Sequence, residues 1–269
     1  MPSARKWMSG LLLRAPAPFR SLRDLPVLGD FIHRVSLRIL PADKMVWAQI
    51  EDGPAQGIWL ELNPRTGQGY WRGDAECAVQ KILAERLRPG MIFYDLGANI
   101  GLFSLLAARL VGKSGKVFSF EPDAQIAERL RRNASRNGFA NVEIVEAGIW
   151  SASGNMSFIV ADSSSPDRGI GRLATSENEA SGELTRCVAL DDFIRTAPAP
   201  DAIKCDVEGA EVEAIRGAEQ LLKTRRPWIV CEMHSAANDQ ALRSYLAYLG
   251  YTFETVDANH LLALPREEG

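Results

Sequence analysis

No two of the four cysteines, Cys77, Cys187, Cys205 and Cys231, form a C-x-x-C pair, so the sequence offers no framework for a structural zinc ion. Cys205 and Cys231 fall inside apolar runs and read as buried free thiols, which suits a reducing cytoplasm. No apolar run reaches the length of a membrane-crossing helix. An excess of one charge is missing too: 31 lysines and arginines stand against 34 acids, a net charge of -3, which gives no electrostatic basis for a nucleic-acid partner. The dinucleotide turn G-x-G-x-x-G is absent. It would need glycine at 97, 99 and 102, and the last two places hold Asn99 and Leu102, which disfavours a nicotinamide-dependent oxidoreductase.

What is present is ordinary globular composition, 46% hydrophobic and 24% charged. Residues 1–40 form a basic N-terminal arm, in which Arg5, Lys6, Arg14, Arg20, Arg23, Arg34 and Arg38 face only Asp24 and Asp30. The expectation is a helical arm whose one membrane role is weak contact with an acidic lipid surface. Its His33 is read as a surface or packing residue. Residues 41–90 read as a small β-rich cap with a lead-in helix. Strands are expected over 45–50 and 57–62 around Asp52-Gly53-Pro54, with a third short segment over 67–73. Asp74 then caps a helix to about Leu87, which Pro89-Gly90 stops.

The remainder, 91–269, is organised around M-I-F-Y-D-L-G-A-N-I-G-L-F-S. An apolar strand over 91–94 ends at Asp95, Gly97 and Gly101 bracket a turn, and 100–110 carries apolar residues at helical spacing. This strand, glycine turn, helix unit opens a nucleotide-type α/β fold. A second strand over 117–120 ends at Glu121, 20 positions after Gly101 (121 − 101), where an acid accepts hydrogen bonds from ribose hydroxyls. A helix over 123–137 and a third strand over 142–146 follow. Next comes an antiparallel insertion with strands over 156–160 and 184–189. It flanks a polar stretch, 162–180, expected to be a mobile loop that shapes a substrate site. Asp191 is expected to cap a short helix. The fourth and fifth strands run over 202–206 and 227–232, with helices over 210–222 and 239–249 and a closing hairpin around Asp257-Ala258-Asn259.

Several stretches together resemble one family. Y-W-R-G-D-A-E, F-Y-D-L-G-A-N-I-G-L-F-S, F-S-F-E-P, A-L-D-D-F, I-K-C-D-V-E-G-A-E and I-V-C-E-M-H look like the FkbM family of S-adenosylmethionine (SAM) dependent methyltransferases, from about residue 70 to the C-terminus. Residues 1–66 lie mostly outside the resemblance. Cys205 stands where the family more often has an aliphatic residue, a harmless change in a strand. The resemblance implies a Rossmann-like class I methyltransferase sheet, mostly parallel with a C-terminal antiparallel hairpin. It implies O-methylation of a sugar, glycolipid or natural-product hydroxyl, with a small-molecule or glycan acceptor. The Asn/Asp-Pro-Pro-aromatic turn of N-methylating enzymes is absent, and K-C-D-V-E-G occupies its place. A SAM-binding protein without catalysis and a different acceptor atom remain as alternatives.

Cofactor residues are then expected at Asp95, Gly97, Ala98, Asn99, Gly101, Glu121, Pro122, Glu146, Ala147 and Asp206, with the end of the third strand packing on adenine. His234, Asp206, Glu208 and Glu232 are expected to gather on the acceptor side, each at or just past a strand end. Methyl transfer from a sulfonium is an in-line displacement, so the enzyme mainly aligns the acceptor and removes its proton. His234 is the candidate base, sharing a strand face with Glu232 if the strand runs that far. Asp206 and Glu232, with Glu208, are candidate ligands for a divalent cation. A carboxylate beside His234 would raise its pKa and weaken it as a base. Both routes stay open at this point.

Overall fold

The computed structural model describes residues 44–160, 171–174 and 182–266. The expectations for the basic arm, for His33 and for most of 162–180 lie outside these. No helix among the described residues is long and apolar enough to cross a membrane.

The centre of the molecule is a seven-stranded sheet. Its core elements are β3 (Ile92–Leu96), α3 (Leu102–Val111), β4 (Lys116–Phe120), α4 (Ala124–Asn137) and β5 (Val142–Val145). After an insertion follow α5 (Leu190–Phe193), β10 (Ala202–Cys205), α6 (Glu211–Arg216), α7 (Glu219–Thr224) and β11 (Trp228–Glu232). The chain closes with α8 (Ala236–Tyr248), β12 (Tyr251–Thr255) and β13 (His260–Pro265). The strand order is β12-β13-β11-β10-β3-β4-β5, parallel except at β12 and β13. This is the mostly parallel sheet with an antiparallel C-terminal hairpin that the sequence predicts. Order reverses between β3 and β10, and a ligand crevice opens beyond the strand ends at such a point.

Alternation along the strands sends side chains to two apolar layers. Phe93, Val117, Ala202 and Val230 pack with α3 and with the segment before β3. Tyr94, Phe118, Ile203 and Ile229 pack with α5, α6, α7 and α8. Before the sheet come β1 (Val46–Gln49), β2 (Trp59–Leu62), α1 (Gln68–Arg72) and α2 (Cys77–Arg86), with β1 and β2 antiparallel. The third cap segment is therefore a helical turn.

Three local expectations change. Asp74 does not cap α2: it pairs with Arg72, and the N-cap position belongs to Glu76 at φ +43, without a side-chain cap. The helix expected over 210–222 is broken into α6 and α7 at Gly217, where a Cβ would meet the Trp150 carbonyl oxygen at 2.2 Å. Asp191 lies inside α5 and caps a different helix, accepting from the N–H groups of Gln220 and Leu221 at the start of α7. The insertion is a four-stranded sheet of β6 (Gly148–Ile149), β7 (Gly154–Val160), β8 (Gly171–Leu173) and β9 (Glu183–Val188). Its order is β6-β9-β7-β8, with the expected antiparallel pairing of β7 and β9.

Candidate active site

The glycine turn after β3 bends through left-handed backbone at Gly97 (φ +77), Asn99 (φ +48) and Gly101 (φ +94). A Cβ at 97 would lie 1.7 Å from the Asp206 carbonyl oxygen, and one at 101 would lie 2.0 Å from Leu130. Glycine at 97 is thus required by the end of β10 pressing against the turn, and glycine at 101 by packing on α4.

Glu121 ends β4 with both carboxylate oxygens engaged. Oε2 accepts from the Asn99 N–H at 2.9 Å and Oε1 from the Asp123 N–H at 2.9 Å. Burial pushes its carboxyl up to about 7 against the pull of those N–H groups, and the Asp123 and Asp95 charges add to the rise. Around it lies a cleft that opens to solvent. Gly97, Asn99, Glu121, Pro122, Ala147 and Asp206, six of the residues expected at the cofactor, line it together. Phe158 and Leu173 of the inserted sheet line it as well. The insertion therefore borders the cleft that holds Glu121.

Four expected cofactor residues do not line that cleft. Ala98 is buried in the turn, and Gly101 is covered by Leu130. Glu146 turns to the surface and pairs with Arg131. Asp95 is fully buried behind the turn: Ser104 donates to one oxygen, and the other, Oδ1, has no hydrogen-bond partner among the described residues. Burial raises its carboxyl, with the Lys204 ammonium opposing.

The segments just past β10 and at the end of β11 bring Asp206, Glu208, Glu232 and His234 together. The His234 ring lies with Nε2 3.0 Å from Glu208 and 3.6 Å from Asp206, and with Nδ1 2.9 Å from Glu211. Hydrogen bonds to Glu208 and Glu211 push its pKa up to about 11. An imidazolium has no lone pair to receive a proton, so this electrostatic setting weighs against His234 as the base and for a cation among carboxylates. β11 stops at Glu232, so strand alternation does not extend to His234. Even so, one ligand atom each from Asp206, Glu232 and His234 lies within 4.8 Å of the others. Burial, Asp206 and Glu76 raise the Glu232 carboxyl.

Sequence reasoning passed over Lys204, Glu211, Glu76, Asp257 and His260. Lys204 is buried on β10, with Nζ 2.9 Å from Asp206 and 4.8 Å from the centre of the Phe103 ring. Burial works against its charge, but Asp206, Asp95 and Glu76 outweigh that and raise its pKa. Lys204 and Glu211 stand inside I-K-C-D-V-E-G-A-E, and Glu76 ends Y-W-R-G-D-A-E, so the signal was present in the stretches themselves. Nothing local marks His260.

The sequence profile described as the Methyltransferase FkbM domain matches residues 95–253. The hexuronic acid methyltransferase AglP of Haloferax volcanii is 26% identical over 191 residues, spanning 70% of this chain and 74% of that protein. The 31-O-demethyl-FK506 methyltransferase FkbM of Streptomyces tacrolimicus is 29% identical over 237 residues, spanning 78% of this chain and 85% of that protein. Among solved structures, a methyltransferase FkbM from Methylobacillus flagellatus KT aligns over 66% of this chain with a TM-score of 0.49 and 20% identity; the match spans 44% of that chain.

Proposed function

This chain belongs to the FkbM family of SAM-dependent methyltransferases, and on that premise we propose that it transfers the methyl group to a hydroxyl oxygen of a sugar, glycolipid or natural-product acceptor. The observation that carries the reading is Asp206. It borders the cleft that holds Glu121 and also belongs to the carboxylate cluster, so cofactor and acceptor would meet at one residue. The names of two relatives agree in kind, since one acts on a hexuronic acid and the other on 31-O-demethyl-FK506.

The lining fits the cofactor. Glu121 would receive the ribose hydroxyls, Ala147 and Phe158 would flank the adenine, and Gly97 and Asp206 would face the methionine end. Bound there, SAM supplies an already activated methyl group. What remains for this chain is to align the acceptor and receive its proton. Glu232 suits that task, because burial and neighbouring acids make it more basic than an exposed carboxylate. His234 steadies Asp206, Glu208 and Glu211 with its positive charge.

A second reading is favoured by the spacing of Asp206, Glu232 and His234. Their ligand atoms are close enough to surround a divalent cation, which would acidify the hydroxyl directly. His234 would have to lose its proton first. One experiment tests both readings: incubation of the protein and labelled SAM with an extract of cells lacking this chain. A product one methylene heavier, with the label on oxygen, supports O-transfer; label on nitrogen or carbon refutes it. Loss of transfer in chelator, restored by magnesium, selects the metal route.

A further inference from the structure

Glu232 is not held by its own strand alone. Its register partner across the antiparallel β11/β13 pair is His260, whose Nε2 lies 3.7 Å from the Glu232 carboxylate. The His260 side chain is only 6% exposed, and its orientation is fixed from behind. Asp257 Oδ1 lies 2.8 Å from Nδ1, and that same oxygen accepts from the N–H groups of Asn259 and His260 in the hairpin turn. The forward nitrogen also meets a second carboxylate, Glu76 Oε2 at 3.2 Å, which comes from the cap 184 positions earlier in the chain.

One buried ring thus holds two carboxylates side by side, and the Glu76, Glu232 and His260 ligand atoms all lie within 4.8 Å. A contact between cap and hairpin needs only one of these acids. Bringing both to the same nitrogen sets like charges against each other; the His260 charge opposes this, yet burial, Asp206 and Glu76 still raise the Glu232 carboxyl. Both carboxylates remain reachable from solvent, at 27% and 23% side-chain exposure. Each keeps lone pairs for donors arriving from outside, and a carboxylate pair of this kind suits two neighbouring hydroxyl groups, one donated to each acid.

We propose that Glu76 is a further active-site residue: beside Glu232, and fixed there by His260 and Asp257, it receives the acceptor, which is a polyol presenting two neighbouring hydroxyls. This rests on the O-methyltransfer reading, in which Glu232 takes the proton of the reacting hydroxyl. Glu76 accepts a hydrogen bond from the hydroxyl next to it and thereby chooses which oxygen faces the methyl group. His260 is a positioning residue, acting through the two acids. The cap becomes part of the acceptor site, and the residues that select the acceptor come from both ends of the described chain.

The test uses the full chain, labelled SAM and graded amounts of an extract of cells lacking this protein as the acceptor source. Glu76→Gln keeps the shape of the side chain and loses its charge; Glu76→Asp keeps the charge. The expected result is that Glu76→Gln needs at least about tenfold more extract for half-maximal incorporation, with affinity for S-adenosylhomocysteine unchanged by calorimetry. Glu76→Asp should recover part of the loss. Should Glu76→Gln fail to fold, Glu76→Ser and His260→Gln provide the same comparison. Unchanged half-saturation in Glu76→Gln overturns the proposal, as does a parallel fall in cofactor affinity. Label found on nitrogen or carbon would instead remove the O-methyltransfer reading, whatever the Glu76 variants do.

Discussion

With Glu121 proposed to receive the ribose hydroxyls, cofactor affinity should depend on pH near neutrality. In the free protein its pKa is pushed up to about 7, mainly by burial. It is then about 10% ionised at pH 6 and about 90% at pH 8. Only the ionised form accepts from both ribose hydroxyls, so affinity should follow the ionised fraction. The gain from pH 6 to 8 is roughly ninefold, or about 1.3 kcal/mol. Calorimetry with S-adenosylhomocysteine at pH 6, 7 and 8, in two buffers of different ionisation enthalpy, reads both the affinity and the proton released at pH 6. Glu121→Gln should bind about 1–3 kcal/mol more weakly at pH 8 and lose the slope. A wild-type affinity flat across this range, or the same slope in Glu121→Gln, would refute the reasoning. The sign for folding is opposite. A carboxyl whose folded pKa lies above its unfolded value gives stability that is present below about pH 4.5 and lost as pH rises through about 7. Without ligand the loss should reach about 3 kcal/mol in chemical denaturation.

Gly97→Ala places a Cβ against the Asp206 carbonyl oxygen, so it should lower the melting temperature and cofactor affinity together; a variant that binds and melts like wild type would contradict the packing of turn on β10. Lys204→Met removes the buried partner of Asp206 and should cost about 3–5 kcal/mol in urea unfolding, with a value under about 1 kcal/mol counting against a shared role for Asp95 and Asp206. His234→Ala takes away the cation shared by Glu208 and Glu211. It should lower thermal stability at pH 7, and the difference from wild type should vanish only as pH rises through about 11, where wild-type His234 also loses its proton. The rate profile of His234→Ala between pH 6 and 8 should keep the wild-type shape; loss of a limb near pH 6.5 would restore His234 as the base.

The strand, turn and helix around Gly97 were legible because every signal there is local: an apolar strand, glycines at fixed offsets, helical periodicity. Glu121 was legible by its distance from the turn, and the cluster at Asp206, Glu208 and Glu232 by strand ends. Lys204 stood in a quoted stretch beside its partner Asp206, but its burial against Asp95 on the neighbouring strand and Phe103 depends on the folded sheet. The break at Gly217 depends on Trp150, which arrives from the insertion. The protonation of His234 depends on Glu211, across a turn from Glu208. Glu76 and His260 are joined only through the folded sheet, and no spacing rule reaches over 184 positions.

The place of β13 has a consequence for biosynthesis. It lies between β11 and β12, so it fills a slot whose two sides are translated before it. A nascent chain released after residue 255 would carry the glycine turn and Glu121, yet residues 228–232 would form an unpaired sheet edge open to other chains. It would also lack His260, which arrives on that same strand to meet Glu76 and Glu232. Sealing of the adhesive edge and the meeting of His260 with Glu76 and Glu232 are thus one event, the arrival of β13. Prematurely terminated chains are left both sticky and without the ring that pairs the two acids.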